Sequence, residues 1–298
     1  MELIDQKKPT FIYSLHNAGF GGCYWYLTDG DEALYKALYR QPALEKVPLH
    51  LGEPEAPYCE EFYPGMYRML GVTAHYDYLE KFVPDKDPAT MITSGTSSDE
   101  YANREGKLIS RALVNEMPYF YDQRIDDTTP SDMIRREAVL INCDQTEAFF
   151  AALTPLYERV KPLIRTWNPF FISVEDRMAS SSVGNMDAKR QWAMAPEFEE
   201  KATVAQKFEN LYGQGFYRNL SVCLLWRACT YELEHGTDMS DAARAELEAI
   251  KADAGNLMEE NLRYLEENLH YQAIPIQKLV RIQLASGLLY AKYVHDKN

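Results

Sequence analysis

The apolar pattern of this chain changes period near residue 190. Up to about residue 180, short apolar runs of β type alternate with helical stretches, whereas from residue 196 onward apolar residues recur at threes and fours. A strand presents every second residue to one face and a helix every third or fourth. The first stretch is thereby confined to a sheet with helices and the second to packed helices. The expected fold is α/β, with a mostly parallel sheet and flanking helices over residues 1–190 and a C-terminal helical domain, a bundle, over residues 191–298.

The strand candidates are residues 10–16 (TFIYSLH), 47–51 (VPLHL), 72–77 (VTAHYD), 138–144 (AVLINCD) and 170–176 (FFISVED). Between them, residues 31–39 place Leu34, Ala37 and Leu38 on one helical face, and Thr28 with Asp31 has capping-box spacing. Residues 60–70 read as a helix interrupted by Pro64 and Gly65. Ser97 with Glu100 repeats the capping spacing and opens a helix running through residues 108–114, and Thr129, Pro130 and Asp132 mark another start. The clearest βαβ unit is 138–144, a helix over 145–165 kinked at Pro155 and Pro162, and 170–176. Residues 84–98 form a long connection and residues 179–184 a loop. In the bundle, Leu247, Ile250, Ala254, Leu257, Asn261, Leu265 and Leu269 form one apolar stripe; Val280, Leu284 and Leu288 form another. Gly213 and Gly215 are expected to split the first bundle helix.

Charge narrows the partners. In 298 residues, 31 basic against 45 acidic side chains leave a formal charge of −14, which repels phosphate backbones and anionic headgroups, so neither nucleic acid nor membrane is expected as a partner. The five cysteines, Cys23, Cys59, Cys143, Cys223 and Cys229, never fall in C-x-x-C spacing, which favours free thiols in a reducing compartment. The opening MELIDQKKPT lacks the apolar stretch of a signal peptide, and a cytoplasmic location is expected.

Chemistry-bearing residues gather at the ends of the apolar runs. In an α/β fold the carboxyl ends of neighbouring strands open into one crevice, so His16, His50 and His75, with Asp144, Glu175 and Asp176, are expected to converge there. His75 and Asp77 stand two apart, which on a strand gives them one face. Asp144 with Glu147 has capping spacing, so a helix cap explains Asp144 better than catalysis does. Glu175 has no such structural reason. Asn17, Gly19, Gly21 and Gly22, in NAGFGG, could bring backbone N–H groups to an anion, although Tyr24 stands where a dinucleotide fingerprint needs its third glycine. Tyr24 and Trp25 beside that loop are candidates for a substrate wall.

The expected function is a hydrolase or transferase acting on a small polar substrate, a sugar or a phosphorylated metabolite. His16 or His75 serves as base, Glu175 as acid or second base, and Asp77 orients an imidazole or a divalent metal, the candidate cofactor. One alternative is an interaction protein whose acidic helical bundle docks a basic partner. Another is a di-iron redox bundle built on Glu232 with His235 and Glu267 with His270, although these E-x-x-H pairs lie too far apart on one straight helix to meet.

Overall fold

The computed structural model describes residues 1–92, 95–180 and 183–297. In chain order it contains α1 (Glu2–Lys7), β1 (Phe11–Phe20), β2 (Tyr24–Leu27), α2 (Glu32–Glu45), β3 (Glu61–Tyr63), β4 (Met66–Arg68), α3 (Val72–Phe82), α4 (Ser98–Ala102) and β5 (Arg111–Tyr121). Then follow β6 (Pro130–Ile134), α5 (Arg135–Val160), α6 (Pro169–Ser180), α7 (Val183–Trp192), β7 (Lys201–Thr203), α8 (Val204–Phe208), α9 (Gln214–His235), α10 (Asp241–Asn268), β8 (Gln272–Ala273) and α11 (Ile276–Lys297). The protein is mixed α/β, 61% helical, with a C-terminal helical region. Among the described residues no helix is long and apolar enough to cross a membrane.

The sheet is mixed rather than mostly parallel. Its order is β1-β5-β2-β4-β3, with β8 pairing on β5. β1 runs parallel to β5 and β2 parallel to β4, but β2 on β5, β3 on β4 and β8 on β5 are antiparallel. β1 and β2 follow each other in the chain, yet β5 inserts between them, and it comes from more than eighty residues downstream. A long-range insertion of this kind leaves no local signature.

Three of the expected strands are helical. Residues 72–77 open α3, whose first amides donate to the distant Glu100 carboxylate (Val72 N at 2.8 Å, Thr73 N at 3.1 Å), so the cap comes from another part of the chain. Residues 138–144 lie inside α5 and residues 170–176 inside α6, so the expected βαβ unit is two successive helices. A short apolar run buried on most sides reads alike in a strand or a helix, and in α5 Ala138, Val139, Asn142 and Cys143 are all buried. Conversely, 60–70 is the β3–β4 hairpin turning at Gly65 (φ +72°), residues 111–114 begin β5, and residues 130–134 are β6. Residues 47–51 contribute only the bridge from Leu49 to Cys23. The helix over 31–39 is α2, capped by Asp31, whose carboxylate accepts from Leu34 N at 3.0 Å. Ser97 caps α4 in the expected way, but α4 ends at Ala102. Part of the loop expected over 179–184, residues 181 and 182, lies outside the described residues. The glycines near 213 do not break the chain direction: a π turn over Glu209–Gly213 joins α8 to α9.

Two main cores result. One packs Trp25, Leu27, Leu113 and Met117 of the sheet against Leu279, Ile282, Tyr290 and Val294 of α11. The other joins α5, α6, α9 and α10 through Phe149, Leu153, Val174, Leu225, Leu247 and Ile250. The bundle stripe is buried at Leu247, Ile250, Ala254 and Leu265, but Val280, Leu284 and Leu288 face solvent, because α11 turns its Leu279–Ile282 side to the sheet.

Candidate functional site

Strand register sets three side chains side by side. His16 of β1 pairs with Glu116 of β5, and Glu116 pairs on its other side with Tyr24 of β2. Directly paired residues project to the same face. Here that face floors a chamber of about 580 Å³. His16 Nδ1 lies 2.9 Å from Glu116 Oε1, with the imidazole half exposed and the carboxylate buried. Burial, then the negative charge of Glu55, raise the Glu116 carboxyl from an ordinary 4.5 to about 7, only partly offset by His16. A carboxyl poised there exchanges protons at neutral pH.

The walls hold more acids. Glu55 accepts from the hydroxyls of Tyr24 (3.2 Å) and Tyr26 (2.8 Å), and burial followed by this charge keeps both phenols protonated. Glu209 accepts from Gln214 at 2.5 Å. Glu53 is neutralised by Arg135 through two parallel bonds of 2.9 and 2.6 Å, a charge-assisted fork beneath the chamber. His50 sits 5.3 Å from the Tyr24 ring, with its Nε2 at 3.1 Å from the Glu53 carbonyl. Tyr217 reaches in from α9, donating to the carbonyls of Ala18 and Phe20.

Of the expected site residues, His16, Asn17, Tyr24 and His50 line this chamber. The others are placed elsewhere. His75 and Asp77 are on α3, where residues two apart point to different sides. His75 stacks on Tyr58 at 4.9 Å and lines an adjoining cavity, while Asp77 is exposed. Glu175 is exposed on α6, in a surface depression between α5 and α6. Trp25 alternates away from Tyr24 into the α11 core, donating to Ser286 Oγ at 3.2 Å.

The glycine run is a packing device. Gly21 N donates to the Phe120 carbonyl at 3.0 Å, and β2, not a helix, follows. At Gly22 a Cβ would lie 2.2 Å from the His50 backbone nitrogen, and at Gly19 (φ +71°) it would meet the Phe216 ring at 2.9 Å. Their backbone freedom seats the His50 segment and α9 over the strands.

The adjoining cavity, about 370 Å³, shares Glu55, Gln214 and Tyr217 with the chamber and carries Lys189, Arg177 and Arg218. The chamber is acidic and its neighbour basic. Among the described residues no three His, Cys, Asp or Glu side chains converge as metal ligands. Glu232, in the last turn of α9, accepts from the Arg165 and Thr166 amides just before α6, whereas Glu267 stands at the far end of α10. No family model, curated protein or solved structure matches this chain.

Glu116, Glu55 and Glu209 did not stand out in the sequence. The available signal was a lone carboxylate within the apolar segment ALVNEMPYF, where burying a charge is expensive unless it is used or paired.

Proposed function

We propose that the protein is an enzyme that hydrolyses, or transfers a group from, a small polar substrate held in the chamber, with Glu116 as the proton-transferring group. The observation that carries this reading is the Glu116 carboxyl itself, buried, raised to about 7 and facing a cavity wide enough for a ligand. In the ionised form Glu116 accepts the proton of an attacking water or hydroxyl, and as the acid it returns that proton to the leaving group. His16 orients the carboxylate through the Nδ1–Oε1 bond and sits at the open side of the chamber. The phenols of Tyr24 and Tyr217, held protonated and donating to Glu55 and to the Ala18 and Phe20 carbonyls, offer the substrate acceptor oxygens without competing for the proton.

The test is a panel of nitrophenyl esters, phosphates and glycosides and of aryl amides assayed from pH 5 to 9. Turnover should follow a group with an apparent pKa near 7, and Glu116→Gln should lower it by roughly a hundredfold or more. Wild-type-like turnover in Glu116→Gln, or a rate that ignores pH across this range, overturns the assignment.

A further inference from the structure

We propose that the cavity between α3, α5, α7 and α9 binds an oxyanion, a carboxylate or a phosphate, through Lys189 and Arg218. This names the substrate class for the chamber beside it and so rests on the chamber being the reaction site.

Lys189 Nζ donates to Asn142 Oδ1 at 2.9 Å. Arg218 Nη2 donates to Gln145 Oε1 at 2.9 Å and its Nη1 to Thr146 Oγ1 at 3.3 Å, with the residue only 8% exposed. Among the described residues, then, both cations are bonded to neutral oxygens and neither forms an ion pair. The carboxylates of Glu209 and Glu53 act on them only through space. Elsewhere in the same protein the part-buried arginines Arg111, Arg124 and Arg135 each hold a carboxylate directly.

Burial without a counter-charge is unfavourable, and burial holds both cations below their usual range, Arg218 at about 10. Groups of this kind facing a cavity are organised for an anion that arrives from outside. A planar guanidinium beside an ammonium suits the two or three oxygens of a carboxylate or phosphate. Arg177, which also lines this cavity, adds a third positive charge.

Charge then orients the ligand. The chamber is lined by Glu55, Glu116 and Glu209 and repels an anion, whereas its neighbour attracts one, and Glu55, Gln214 and Tyr217 line both. A substrate with an acidic end anchored on Lys189 and Arg218 would present an uncharged or cationic portion to Glu116.

Calorimetric titration of the purified chain with inorganic phosphate and, separately, succinate tests the site. Saturable one-to-one binding of at least one is expected, weakened tenfold or more in Lys189→Met and in Arg218→Met, and unchanged in Glu116→Gln. Phosphate alone binding identifies a phosphate-bearing substrate, succinate alone a carboxylate-bearing one. No saturable binding of either anion to the wild type, or undiminished affinity in both Met variants, overturns the proposal. Lys189→Met keeps the test decisive even if Arg218→Met fails to fold. Because anion binding is read without turnover, a dead chamber and an empty anion site give different results: loss of activity in Glu116→Gln with no anion binding rejects only the second.

Discussion

The two faces of the central sheet are built from neighbouring residues of the same strands and behave in opposite ways. On β2, Trp25 and Leu27 enter a dry core against α11, while Tyr24 and Tyr26 turn their hydroxyls to Glu55. On β5, Leu113 and Met117 join the dry core and Glu116 faces the chamber. One residue of strand advance thus separates the dry core from the carboxylate-lined chamber. The packed face fixes the position of the other: β5 is central, paired on both sides, and cannot shift register without turning Glu116 into the α11 core.

The largest expected effect comes from breaking the dry face. Trp25→Ala removes a fully buried indole and leaves its partner Ser286 Oγ without that bond, which should destabilise the fold by roughly 3–5 kcal/mol, measured by denaturant unfolding. Because Tyr24 and Glu116 are on the other face, the folded fraction should still bind phosphate or succinate as the wild type does. A loss of anion binding in folded Trp25→Ala would show that the faces are not separable.

A smaller effect, on the other face, depends on pH. The folded state holds the Glu116 proton up to about 7, while an unfolded glutamate releases it near 4.5. Between those values the folded chain binds more protons, so this residue's contribution to stability is present below the unfolded value and is lost as pH rises through the folded one. Glu116→Gln, neutral throughout, removes the dependence. Wild type and variant should have similar stability near pH 5, and the variant should be more stable near pH 8 by about 1–2 kcal/mol. Equal unfolding free energies at both pH values would mean that Glu116 ionises as an ordinary exposed carboxylate.

The same contrast explains what was legible in the sequence. β1, α2 and the helical C-terminal region follow from period and caps, whereas β2 carries no such signal; His16 and Tyr24 both reach the chamber because β1 and β2 are joined by a short turn. His75 and Asp77 were misplaced because α3 is capped by Glu100 from another segment. Glu175 was misplaced because a helix buried against α5 and α9 shows the same apolar run as a strand. Glu116 stayed hidden for a different reason: its place between His16 and Tyr24 comes from β5 inserting between β1 and β2, a pairing across about a hundred residues that no local pattern records.

The smallest expected effect concerns residues that the sequence pattern favoured and that lie outside the chamber. Asp77 and Glu175 are exposed, lie on α3 and α6, and do not line the chamber. Neither takes part in a salt bridge or a side-chain hydrogen bond among the described residues, so replacing either with alanine leaves no buried group unsatisfied. Each substitution should change stability by no more than about 0.5 kcal/mol, the usual range for surface sites. Each should also leave turnover and its pH profile as in the wild type. A hundredfold loss in Glu175→Ala alone would move the reaction to the depression between α5 and α6 and reduce the His16–Glu116 pair to a structural contact. Wild-type behaviour there, set beside a defective Glu116→Gln, would assign the proton chemistry to the sheet face rather than to the helices around it.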